Sequence, residues 1–199
     1  MRFAGHIAEK WEIILLFVSR PANRPKTAIM GILDTLRAKV QTVQDGLTDG
    51  ALVRDVVQRH GDDIMEFQRR QLLQGLNSSG EDIRPYYSED LQPGGYFKSR
   101  ESAGRYAAWK GTLSYPYSVS GRNPDAPNLY INGRFHSELT VHFGADSVVV
   151  EAETLYAAGI VAKYGLGTFG LMAANWNAIF AERGGLAELM NELKSILYG

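Results

Sequence analysis

One segment limits the fold of this chain more than any other. In "LYINGRFHSELTVHF", Leu129 to Phe143, the odd positions Leu129, Ile131, Phe135, Leu139, Val141 and Phe143 are apolar, and the even positions are mostly polar. Alternation with period two marks a half-buried strand. The run is long against a usual strand of about five or six residues, so a break is expected near Asn132-Gly133. "GADS" then turns the chain and "VVVEAE" supplies a second strand. Residues 139–143 and 147–153 therefore read as an antiparallel hairpin.

The rest reads as helix and loop. Ile29, Ile32, Leu33, Leu36, Val40 and Val43 recur at helical spacing until "QDGLTDG" interrupts them. Thr48 or Asp49 can cap a second helix, whose apolar positions run from Leu52 to Leu73, with a break plausible at Gly61 and an end at Gly75. "NSSGEDIRPYYSEDLQPGGYF" is turn-rich, and "SRESAGRYAAWKGTL" allows a short helix capped by Ser99 or Ser102. "TLYAAGIVAKYG" and one or two further helices close the chain. The expected class is α+β: N-terminal helices, a small antiparallel β-sheet with a hairpin, and C-terminal helices.

Residues 28–199 read as a single domain. Residues 1–27 differ: five basic residues against two acidic ones, ending in the Pro/Arg-rich "SRPANRPK". Two readings stand side by side, an arm that docks on a partner and an upstream extension of a native start at Met30. The apolar run "IILLFV" is far short of the roughly 20 residues that cross a bilayer. No export signal and no membrane partner are read.

Composition narrows the chemistry. The chain has no cysteine, which removes disulfides, thiolate metal sites and a thiol nucleophile. Its net charge of −1 gives no general pull toward nucleic acid. No P-loop, nucleophile-elbow or H-E-x-x-H pattern occurs. Gly165, Gly167 and Gly170 in "AKYGLGTFGLMAAN" do spell G-x-G-x-x-G. That pattern needs a strand before it and a parallel strand after its helix. The residues after Gly170 read as helix and leave no second parallel strand and no acidic residue at its end, so the stretch is expected to be a connector.

His136 and His142 are too far apart along one strand to share a metal, and the four histidines are expected at the surface. "GDD" at 61–63 and "SED" at 88–90 read as solvated charges. No catalytic, cofactor-binding or metal residues are assigned. The aromatic cluster is more informative. Tyr86, Tyr87, Tyr106 and Trp109 lie among loops with Arg100 and Arg105. Tyr, Trp and Arg are interface-anchor types. These six are the candidate protein interface. Pinning of long loops and stacking of single-stranded nucleic acid are the other readings.

The order of these motifs resembles that of the tail-completion, or virion-morphogenesis, proteins of tailed bacteriophages, which act at the head–tail neck. "NSSGEDIRPYYS" stands where that family has a loop with serine and proline after an N-terminal helix. "LYINGRFHSELTVHFGADSVVVEAE" stands where it has a Thr-Gly segment running into a hairpin. "YAAGIVAKYG", "TFGLM" and "ANWNAIF" follow in the family's order. The resemblance implies a non-enzymatic virion protein, made in the host cytoplasm and forming a homo-oligomeric ring. Its partners would be neck or tail proteins on the portal or adaptor side and on the tail-tube side. It implies no cofactor and no specific nucleic acid. The alternative from another class is a small nucleotide- or nucleic-acid-binding enzyme or module, using the Gly165–Gly170 loop or the Tyr/Trp/Arg-rich loops.

Overall fold

The computed structural model describes residues 26–91, 96–144, 147–155 and 157–198, with side chains from residue 31 onward. The arm of residues 1–27 lies almost wholly outside them. Contacts divide the chain into two units, 1–42 and 43–199, with the boundary inside helix α1 (Lys26–Thr48). In the first unit α1 bears an exposed stripe of Ile32, Leu33, Leu36 and Val40.

The expected interruption at "QDGLTDG" does not occur until Thr48. Gly46 is helical, and a Cβ there would sit 2.9 Å from Leu52 Cγ. The missing side chain admits Leu52, which offsets the roughly 1 kcal/mol that glycine costs in a helix. Gly50 then turns the chain at φ 74°, and Asp49 Oδ1 accepts from the Ala51 amide at 2.9 Å.

Helices α2 (Ala51–Arg59) and α3 (Gly61–Gln74) are separated at His60, so the break expected at Gly61 is present. Ile64, Met65, Gln68, Gln71, Leu72 and Leu73 are the buried residues of α3, the first five spaced as a helical stripe requires. Two of the six are glutamines. The helix ends at Gly75, where the amides of Gly75 and Leu76 return to the carbonyls of Leu72 and Gln71 at 2.9 and 3.1 Å. Gly75 has φ 78°, and a Cβ there would lie 3.0 Å from Ala126 Cβ. Gly75→Ala is expected to destabilise by about 2 kcal/mol in denaturant unfolding, through a left-handed alanine and a crowded contact. A change below about 0.5 kcal/mol would show that the backbone relaxes there.

Helix α4 (Arg100–Gly111) starts at Ser99, which forms a reciprocal capping box with Ser102. One-turn α5 (Arg134–Ser137) precedes the hairpin of β1 (Leu139–Phe143) and β2 (Val148–Ala152). The strands are antiparallel, with Leu139 opposite Ala152, Val141 opposite Val150 and Phe143 opposite Val148. These odd and even partners share one face, and Leu139 and Val150 reach the core with Ile64, Leu72, Phe135 and Ile179. Helices α6 (Ala157–Tyr164), α7 (Ala173–Ala181) and α8 (Gly185–Tyr198) follow. The chain is α+β and mostly helical, with eight helices and one two-stranded sheet among the described residues.

The alternation over 129–137 is not a strand. Leu129 has φ 52° and Gly133 φ 83°. Asn132 Oδ1 accepts from the Arg134 amide at 3.1 Å and starts a helical turn. With only two paired strands among the described residues, a third extended segment there would have no ladder to satisfy its backbone. The break expected at Asn132-Gly133 is there, but what precedes it is irregular. Among the described residues no single helix is long and apolar enough to cross a membrane.

Candidate functional site: an aromatic wall over a cationic cavity

The glycine loop is held from below. It follows helix α6 instead of a strand. Gly165 ends that helix, Leu166–Thr168 is a 3-10 turn, and α7 begins at Ala173. The amide of Gly170 donates to Gln68 Oε1 at 2.9 Å, and that of Met172 donates to Gln71 Oε1 at 2.9 Å. In return, Gln68 Nε2 donates to the Thr168 carbonyl at 3.3 Å and Gln71 Nε2 to the Gly170 carbonyl at 2.9 Å. The Gly167 carbonyl accepts from the Ser78 amide at 2.7 Å. A phosphate cradle needs free amides at a helix N-terminus after a strand. Two of these amides already serve buried glutamines, and no strand precedes them.

The aromatic cluster forms a wall around α4. Tyr106 is its hub, with ring centroids 5.0 Å from Tyr87, 5.2 Å from Phe97, 5.8 Å from Tyr96 and 5.4 Å from Trp109. Edge-on and tilted pairs at such distances are favourable beyond their burial. The six candidate residues divide. Tyr87 is buried and Tyr106 half-buried, so both hold the wall from within. Tyr86 lies under the Arg84 guanidinium, 4.0 Å from its ring centroid, and its hydroxyl donates to Asp82 at 2.8 Å. Arg100, Arg105 and Trp109 face solvent, with Trp109 44% exposed. Tyr96, beside them, is 73% exposed. Arg105 is paired with Glu101 one helical turn back at 3.0 Å.

Long loops are tied beneath this wall. Asp82 also accepts from Asn123 Nδ2 at 2.7 Å, and the Tyr87 amide donates to the Asp125 carbonyl at 3.0 Å. Asp125 further accepts from the Ser88 amide at 3.0 Å and from the Ser88 hydroxyl. "SED" is thus not simply solvated: Glu89 pairs with Arg84 at 2.6 Å and Asp90 with Lys163 at 2.5 Å. In "GDD", Asp63 meets the His60 ring at 2.8 Å.

Behind the wall lies a cavity of about 450 Å³, lined by Tyr87, Tyr106, Lys110, Leu129, Phe135, Tyr164 and their neighbours. Lys110 is only 1% exposed, since it stands on the same face of α4 as buried Ala103 and Ala107. Its ammonium donates to the Tyr130 carbonyl. Burial and, less strongly, the Arg122 guanidinium push its pKa down to about 7. Arg122 itself donates to the Ala126 carbonyl at 3.1 Å and to the Tyr115 hydroxyl at 3.3 Å, while its buried Nε has no partner. Among the described residues neither cation has a carboxylate at ion-pair distance. Burial also raises the phenols of Tyr87, Tyr106 and Tyr164.

The histidines correct the surface expectation. His60 and His136 are buried, and only His142 is exposed among the three described. His136 Nε2 faces the Asn128 carbonyl at 3.0 Å, and burial lowers its pKa to about 4. It is neutral at pH 7 and donates that hydrogen bond. Among the described residues no cluster of three or more His, Asp or Glu could hold a metal ion.

Lys110, Arg122, Gln68, Gln71 and His136 carry the buried polar chemistry, and none stands out in the sequence. Lys110 leaves one trace: it lies seven residues after Ala103 on the small-residue face of α4. No protein-family model, curated protein or solved structure matches the chain.

Proposed function

We propose that the chain is a structural, non-enzymatic component of a tailed-phage neck, a tail-completion protein working as a homo-oligomeric ring. The observation that carries this reading is the order of elements. Helices are followed by a proline-bearing loop, helix α4, a turn at Gly133, an antiparallel hairpin, a helix ending at Tyr164-Gly165, a tight loop and closing helices. Apart from α4, which fills a longer linker, that is the order the sequence resemblance implies. The solvent-facing group of Tyr96, Arg100, Arg105 and Trp109 is the surface we assign to a neck neighbour, on the portal or adaptor side or the tail-tube side. Aromatic and arginine side chains on a rigid, internally packed support are suited to such contacts. A ring needs heterologous contacts that close by rotation.

The test is assembly. The double variant Arg105→Ala, Trp109→Ala is expected to cut incorporation into virions or rings by about tenfold or more, with its melting temperature unchanged. Unchanged incorporation would remove this surface from the proposal. Absence of the protein from purified virions would overturn the neck role. Salt-dependent DNA binding by the isolated chain would favour the nucleic-acid module instead.

A further inference from the structure

We propose that the cavity behind the aromatic wall is a binding site for a carboxylate carried on a flat, apolar body, with Lys110 as its counter-ion. Four observations support the site, and none depends on the neck reading.

The volume, about 450 Å³, falls in the range of small-ligand sites. The walls are apolar or aromatic: Tyr87, Tyr106, Tyr164, Leu129 and Phe135. Such walls accept a ring or short alkyl group rather than a hydrated ion.

The floor holds an uncompensated cation. An ammonium has three donors and no acceptor. One N–H of Lys110 reaches the Tyr130 carbonyl, and the other two have no acceptor among the described residues. Arg122 adds a second positive charge close enough to depress Lys110. The Tyr106 ring, 6.0 Å from the ammonium, is its other polar neighbour. A buried charge without a counter-ion is costly, and a carboxylate entering the cavity supplies both the missing charge and a further acceptor. One lining cation suits a monoanion. A phosphate would call for more donors than this floor offers.

The wall is strained. Leu129 is the one described non-glycine residue with positive φ, at 52°. Bulky residues avoid this region, and such conformations gather at ligand sites. Leu129 and Asn132 line the cavity with Ile131, which is 60% exposed. The irregular segment that replaces the expected strand thus supplies three of the lining residues.

The charged and titratable groups around Lys110 come from every side. They are Tyr106 on its own helix, Arg122 and Tyr115 from the following loop, His136 from α5, Tyr87, and Tyr164 from α6, with Arg69 from α3 one step further out on the His136 carbonyl. Between pH 6 and 9 Lys110 changes charge, whereas His136 is already neutral and the raised phenols of Tyr87, Tyr106 and Tyr164 are still protonated. Affinity for the acid should fall by about tenfold per pH unit once Lys110 deprotonates.

Two sources share this chemistry, a free aromatic acid and the C-terminal carboxylate of a peptide. Calorimetry on the full chain at pH 6 would compare phenylacetate with phenylacetamide, and acetyl-Gly-Phe acid with its amide. At least one acid is expected to bind, its amide at least about tenfold more weakly, and Lys110→Met to lose the same factor. Binding of the peptide acid alone assigns the site to a protein chain end. Binding of phenylacetate shows that free acids suffice. The proposal is overturned if neither acid binds at about 10 mM, if acid and amide bind alike, or if folded Lys110→Met binds as the native chain does. The acid–amide pair decides the matter on the unaltered protein even if that variant does not fold.

Discussion

Replacing Gln71 by leucine is expected to lower the unfolding free energy by about 4 kcal/mol in urea or guanidinium titration. Leucine nearly fills the same space, so little of this loss comes from a cavity. The loss comes from three groups left without partners: the Gly170 carbonyl, the Met172 amide and Asn175 Nδ2, each 2.9 Å from the Gln71 carboxamide. A buried polar group deprived of its partner costs about 1–3 kcal/mol. Some of this is recovered if the 170–172 segment opens to water. That movement would appear as faster hydrogen exchange at Met172. A loss below about 1 kcal/mol would mean that the loop is held by its own turns and not by α3. Asn175→Ala combined with Gln71→Leu should cost less than the sum of the two, because they share one hydrogen bond.

The second large effect is a pH dependence created by Lys110. Its pKa is about 7 in the folded chain against an ordinary 10.5. Between those values the unfolded chain binds a proton that the folded chain does not. Stability from this group therefore rises with pH through that window and is lowest below pH 7. Lys110→Met removes the effect. Relative to the native chain, the variant should be more favoured at pH 6.5 than at pH 9.5, by on the order of 3 kcal/mol. The difference between the two pH values is the quantity to read, since the lost hydrogen bond to Tyr130 lowers both equally. The window avoids His136, whose depressed pKa of about 4 makes stability rise between about pH 4 and 6.5. It also lies below the raised phenols of Tyr87, Tyr106 and Tyr164. Equal pH profiles for the two proteins would show that Lys110 is solvated, and the cavity proposal would lose its counter-ion.

The elements written locally were legible. Ser99 with Ser102 marks the start of α4, and Gly75 the end of α3. Both rest on hydrogen bonds made within a few residues, so the residues that make them are neighbours in the chain. The hairpin was legible because Leu139, Val141 and Phe143 alternate next to a turn and a second β-rich run. The same alternation misled upstream. Leu129, Ile131 and Phe135 keep the period, but a strand needs a neighbour to pair with as well as a face to bury. Alternation reports the second requirement and is silent on the first.

The site was legible in type and not in arrangement. The concentration of Tyr, Trp and Arg around 84–117 marked the region. Its division into buried Tyr87, half-buried Tyr106 and exposed Trp109 depends on which face of α4 packs, and the weak amphipathicity of that helix does not announce it. Histidines 60 and 136 look like surface residues in a polar sequence context, yet each is covered by segments remote in the chain.

By itself, the sequence determined most of the helices, the Ser99 cap, the break at Gly61 and the stop at Gly75, the hairpin and the connector character of the Gly165–Gly170 loop, because propensity, capping and alternation act over a few residues. Only the tertiary structure decided that Gln68 and Gln71 hold that loop from about a hundred residues away, and that Lys110 lies without a carboxylate partner beneath an aromatic wall. Burial and pairing are properties of what surrounds a side chain, and those surroundings come from parts of the chain that meet only when it folds.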